Sequence, residues 1–318
     1  MRMRKTVIHV GSALLILVSR PIFAWSQPMK GWERLRDEAE ASATNQEYAS
    51  AIGTMREAVK TATQSFGSND PRIARLLTQL ADYHWSVGQL KDARHALEQA
   101  LFIWEQRDGA GSADAATARY RLGLLSFDMG QIQDAERLLK QALAMREVEL
   151  GERHPDVAIS MLELAMLYDK INRAEEAGPL LQRAVELLRF HQAEMPTAYA
   201  RGLTALAWHY HTQGQEAEAV PLCEEALDVD LEAFGPTHSV VATDLSNLAA
   251  LYQQVSRYEE AERLYVRALA AWNAAAPHDP ELRATWQEYA VLLRHLGKIE
   301  EARKAEQQAL SAVETRRP

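Results

Sequence analysis

Apolar residues recur along most of the chain at i, i+3, i+4 and i+7, the interval of one helix face. Leu245, Leu248, Ala249 and Tyr252 form one such set, Met161, Leu164, Ala165 and Tyr168 a second, and Leu203, Leu206, Ala207 and Tyr210 a third. The β-branched runs that would mark strands are absent and helix formers dominate after the first thirty residues, so the pattern predicts an all-α protein. Each set stops at a residue suited to a turn, and a second apolar-periodic stretch follows. The chain therefore reads as a series of helical hairpins.

The hairpins have a fixed period. The breaks fall at Gln46, Gly88, Gly130, Asn172, Gly214, Ser256 and Gly297, a spacing of 42 five times and 41 once. Five residues beyond each break stands an alanine: Ala51, Ala93, Ala135, Ala177, Ala219, Ala261 and Ala302. Seven further on stands another: Ala58, Ala100, Ala142, Ala184, Ala226, Ala268 and Ala309. Small residues also precede the breaks, at Ala81, Gly123, Ala165, Ala207, Ala249 and Ala290, as two helices crossing closely require. Seven hairpins result, at approximately 32–67, 72–107, 114–151, 156–192, 197–235, 239–276 and 281–316, within a unit spanning 27–318. The first and last depart from the pattern as solvent-facing caps would: Glu38 and Ser42 in the first and Glu306 in the seventh stand where core residues stand elsewhere.

These positions resemble the tetratricopeptide repeat family: a large residue, Leu-Ala or Leu-Gly, an aromatic, a Gly, then two spaced alanines. The period of 42 is similar to that of the kinesin light chain subtype. So is the link Leu150-Gly151-Glu152-Arg153-His154-Pro155-Asp156-Val157-Ala158, with partial matches at 66–74 and 234–242. Asp108 to Asp114, with two glycines, departs from that link. The resemblance covers residues 32 to 318. It implies a right-handed superhelical α-solenoid that binds a protein or peptide, and a structural role for His154 and His238 in the links.

Residues 1–26 read as a signal peptide. Arg2, Arg4 and Lys5 form a basic start and Val7 to Val18 an apolar run too short to span a bilayer. Ala24-Trp25-Ser26 predicts cleavage before Gln27. The alternative is an anchor through residues 7–25, with Arg20 snorkelling. Export to the periplasm or beyond is the expectation, with no membrane contact after cleavage. Cleavage would remove Arg2, Arg4, Lys5 and Arg20, leaving 31 basic residues against 44 acidic ones, a balance of −13. Such a surface opposes nucleic acid and anionic lipid.

Catalytic and cofactor chemistry is not expected. No Walker loop, dinucleotide fingerprint, Gly-x-Ser-x-Gly or His-Glu-x-x-His occurs, and the carboxylates read as scattered over helix faces without pairing. The lone thiol, Cys223, excludes an internal disulfide and occupies the slot of Leu97, Leu139, Leu181 and Tyr265, so it reads as a core residue. His209 and His211, two apart, face different sides of a helix and make no metal site.

What remains is the inner wall lined by the first helices. There Arg75, Trp85, Tyr120, Phe127, Arg201, Trp208, His211 and Arg294 offer the aromatic and arginine content expected of a peptide groove. The sequence thus predicts a non-catalytic scaffold holding a protein or peptide. Self-association as an assembly subunit is the second reading.

Overall fold

The computed structural model describes residues 31–108 and 112–314. Among them are fourteen helices and no strand: α1 Gly31–Thr44, α2 Tyr48–Phe66, α3 Pro71–Ser86, α4 Leu90–Asp108, α5 Ala113–Asp128, α6 Ile132–Leu150, α7 Pro155–Lys170, α8 Ala174–Phe190, α9 Pro196–Thr212, α10 Glu216–Phe234, α11 Ser239–Gln254, α12 Tyr258–Ala275, α13 Pro280–His295 and α14 Ile299–Glu314. Consecutive helices pair as seven hairpins, and the second helix of each packs on the first helix of the next. First helices also touch across neighbouring hairpins, at α5 with α7, α7 with α9 and α11 with α13, so they line a common side of the array. This is the tetratricopeptide-like α-solenoid expected from the period. The signal-peptide segment 1–26 and the glycine-bearing stretch 109–111 lie outside the described residues.

The turn inside every hairpin is built the same way. All seven break residues have left-handed backbone, with φ between 60° at Asn172 and 76° at Gly297. The break N–H donates three residues back, as Gly88 does to the Trp85 carbonyl at 2.9 Å. The next N–H reaches five back, as Gln89 does to His84 at 2.9 Å and Arg257 to Tyr252 at 2.8 Å. These bonds satisfy carbonyls that the end of a helix leaves without partners, and the left-handed residue is what lets the chain double back.

The starts of α3, α5, α7, α11 and α13 are capped by side chains, whereas α9 begins without such a cap. Asp70 Oδ1 accepts from the Arg72 N–H at 2.9 Å and Asp279 Oδ1 from Glu281 at 2.9 Å. Where a histidine directly precedes the helix, as before α7 and α11, Nδ1 of His154 accepts from Asp156 N–H at 3.1 Å and Nδ1 of His238 from Val240 N–H at 3.3 Å. The link histidines are thus N-caps. Both interior prolines, Pro179 and Pro221, sit in helices that continue through them.

All fourteen recurring alanines are buried, none more than 3% exposed. Ala39, also fully buried, completes the first-helix small-residue series in hairpin one. At Gly123 even a methyl group is excluded: a Cβ would stand 2.8 Å from Leu139 Cγ. Cys223 fills its leucine slot, 4% exposed, and burial, with Asp244 and Glu224 nearby, pushes its thiol up to about 12.

Hairpins stack through a second pair of slots, one near the end of each second helix and one early in the following first helix. The residues are Ala62 with Leu76, Trp104 with Ala118, Arg146 with Ser160, Leu188 with Gly202, Asp230 with Asp244 and, at the sixth joint, Trp272 with Thr285. Size is complementary in the first four: a Cβ on Gly202 would lie 3.4 Å from Leu188 Cδ1, and the buried Arg146 donates to Ser160 Oγ at 2.8 Å. The fifth corrects the expectation that no carboxylates pair. Asp230 and Asp244 are both buried, and their carboxyls face each other across the joint of hairpins five and six.

Candidate inner-wall binding surface

The inner wall is set by which faces of the first helices the core leaves over. Once the Leu-Ala-aromatic stripe is buried against the second helix, the residues six and three before each turn look along the wall. The first of these columns reads Leu124, Met166, Trp208, Ala250 and Val291 in hairpins three to seven. Met166 and Trp208, on neighbouring hairpins, remain 39% and 40% exposed.

Polar rungs tie neighbouring hairpins together along the same wall. Arg121 pairs with Asp82, and Arg201 pairs with Glu163. The Trp85 Nε1–H donates to Asp128 Oδ2 at 2.7 Å, and the Tyr120 hydroxyl donates to Glu163 Oε1 at 3.4 Å. Glu163, its side chain nearly buried, is the hub of the middle of the wall, and the sequence reading did not single it out. Burial and the Glu163 charge raise the Tyr120 hydroxyl well above its ordinary range, so it stays a donor at neutral pH. The Arg146 guanidinium lies 4.5 Å from the Tyr120 ring centre on its other side.

The predicted groove residues fall into separate groups. Tyr120 and Arg201 meet at Glu163, while Trp208 and His211 form an edge-to-face pair 5.1 Å apart, with His211 Nδ1 also 2.9 Å from Glu216. Phe127 packs half-buried against the core of hairpins three to five, and Trp85 is half-buried with its indole N–H occupied. Arg294 is turned to the second helix of its own hairpin, 2.5 Å from Glu306, and joins no other groove residue.

Arg75 is exposed 5.9 Å above the Trp104 ring. It opens onto a cleft of about 400 Å³ spanning hairpins one to three, whose rim also carries Arg36, Arg72 and Arg121 and whose lining includes Trp32 and Trp104. Three of those guanidiniums have carboxylate partners, Asp37, Asp70 and Asp82 respectively. Arg75 has no ion-pair partner among the described residues.

His209 shows how a polar residue enters the wall. It occupies the slot held by Leu125, Leu167, Leu251 and Leu292 in other hairpins, yet is buried with Nδ1 2.8 Å from Asp169 Oδ1. His209 and His211 have different partners on different faces. Among the described residues no group of three His, Cys, Asp or Glu is placed to hold a metal ion, and no helix is long and apolar enough to cross a membrane.

The chain is similar to BtubC from P. vanneervenii, with 22% identity over 70% of this chain and 89% of that one, at a TM-score of 0.61. It is also similar to the nearly identical TPR-like repeats of a kinesin light chain candidate from Podosopora anserina, with 26% identity over 64% of this chain and 97% of that one, at a TM-score of 0.53. A third structure, the Rap conjugation gene regulator of plasmid pLS20 in complex with the Phr* peptide, shares the fold at 16% identity and a TM-score of 0.61, covering 89% of this chain and 74% of that one. Among curated proteins none matches. The tetratricopeptide repeat profile matches residues 36–106, 114–189, 198–274 and 241–315, and the chain belongs to the tetratricopeptide repeat family.

Proposed function

We propose that the chain is an exported, non-catalytic scaffold that holds a segment of a protein or a peptide along its inner wall. The observation that carries this reading is the pair Met166 and Trp208, two large apolar side chains at the same wall position of neighbouring hairpins, each left two-fifths exposed. Beside them Arg201 reaches within 3.7 Å of Met166 Sδ. Aromatic and arginine side chains are those in which binding energy at interfaces concentrates. An open wall favours capture over catalysis, which calls for an enclosed pocket. The acidic balance of the chain argues against nucleic acid as the guest. A peptide-bound relative of the same fold supports the reading at the level of architecture.

The export half rests on residues 1–26: basic start, short apolar run and small-x-small site. A mature N-terminus at Gln27 supports it, and an intact Met1 on a cytosolic protein defeats it. Groove binding is tested by selecting peptides from a random library on the full-length protein and measuring their affinity for Met166→Ala/Trp208→Ala. Affinity should fall at least tenfold with the helical circular dichroism unchanged, whereas Phe190→Ala, on a second helix, should bind normally. Unchanged affinity in the double variant moves the site elsewhere.

A second reading, self-association, with residues 7–25 as an anchor, is favoured by Leu310. It is 69% exposed in α14, in the slot where Val185, Leu227 and Leu269 are each 5% exposed beneath the next hairpin. Light scattering decides it: a mass that grows with concentration and is restored to the monomer by Leu310→Glu supports it.

A further inference from the structure

Asp230, near the end of α10, is 3% exposed, and Asp244, in the second turn of α11, is 7% exposed. Oδ1 of Asp230 and Oδ2 of Asp244 are buried with no hydrogen-bond partner among the described residues. An ionised carboxylate only accepts hydrogen bonds, so these two facing carboxyls can bond to each other only when one of them carries a proton.

The surroundings offer little to replace that proton. From the link between α10 and α11, His238 faces Asp230 and in its positive form favours the ionised acid. From α10 itself the Cys223 thiol lies near Asp244. No Arg or Lys on α9, α10, α11 or α12 is paired with either carboxyl among the described residues. At the other five stacking joints the matching slots hold apolar residues, the arginine–serine pair or Trp272 with Thr285, so this joint alone of the six brings two acids together.

We propose that the joint between hairpins five and six is a proton-operated hinge, closed while Asp230 and Asp244 share a proton and loosened when both are ionised. Two bare negative charges in contact, out of water and without a cation, repel each other and lack solvation. Opening the joint admits water to both. Burial raises both carboxyls, Asp244 to about 8, whereas in an opened, hydrated joint they would titrate near 4, their ordinary value. The closed form therefore holds one proton more than the open form between about pH 4 and pH 8. The opening equilibrium rises with pH by up to about tenfold per unit in that window and levels off above it. The hinge separates Trp208, on α9, from the inner-wall residues of α11. It does not depend on what the groove binds.

The test is hydrogen exchange by mass spectrometry on the full chain from pH 5 to pH 8.5, corrected for the intrinsic pH dependence of exchange. Peptides from α10 and α11 should lose protection as pH rises while those from α3 and α4 hold. In Asp230→Asn/Asp244→Asn the α10–α11 profile should become flat. A slope that is equal in the double variant, or shared by α3 and α4, overturns the hinge. If the double variant does not fold, the wild type decides alone. The infrared carbonyl band of a protonated carboxylic acid should persist at pH 6 and vanish by pH 9, and its absence at pH 6 overturns the proposal.

Discussion

Nε2 of His209 lies where a side chain on Gly178 would begin: a Cβ there would stand 2.8 Å from it. The histidine replaces a leucine of the other hairpins, and the bare backbone of α8 makes room for its ring while Asp169 holds Nδ1. Gly178→Ala should therefore destabilise the protein by about 1 to 3 kcal/mol, although alanine is the better helix former. The two residues should be coupled. Adding Gly178→Ala to His209→Ala should cost clearly less than in the wild type, and additive thermal denaturation data would contradict this packing.

The left-handed turns differ in how well their residue suits them. Ser256 adopts φ 61° where Gly214 adopts 71° in the preceding hairpin. Ser256→Gly should raise stability by about 0.5 to 1 kcal/mol, and Gly214→Ala should lower it by about 1 kcal/mol. Urea denaturation of both variants checks the sign.

Glu136 accepts from Lys140 at 2.6 Å and from Arg173, across the joint of hairpins three and four, at 2.8 Å. These bonds hold its carboxyl down at about 2. A depressed carboxyl contributes stability above its ordinary value, and that contribution is lost as pH falls through the folded value. Glu136→Gln should lower the melting temperature by about 2 °C at pH 7 and make no difference near pH 2. This dependence has the opposite sign to that of the Asp230–Asp244 joint, which weakens as pH rises.

The recurring alanines predict a steric limit. Ala177→Leu should lower the melting temperature by several degrees, because Ala177 is fully buried where α7 and α8 cross. An unchanged melting curve would contradict the packing.

The architecture was legible because each of its determinants repeats. Break residues, paired alanines and the Leu-Ala-aromatic stripe recur at one interval, and a helical interval fixes a face. Even Met166 could have been read beside Trp208, since both stand six before a turn. The pairings on the wall were not legible. Glu163 meets both Tyr120 and Arg201 at separations of 43 and 38 residues, and which acid a given guanidinium reaches depends on how far each hairpin is rotated on the last. Asp230 and Asp244 were missed for a related reason. They belong to different slots of the period, and only stacking brings those slots together.

The rungs of the inner wall also link the spacing of hairpins to the state of their side chains. Arg201 already grips Glu163 on the neighbouring hairpin, so a guest carrying a carboxylate would have to draw that guanidinium out of an existing clasp. Gripping cargo and altering the pitch between hairpins four and five would then be a single event, and the coil's curvature would report what it carries.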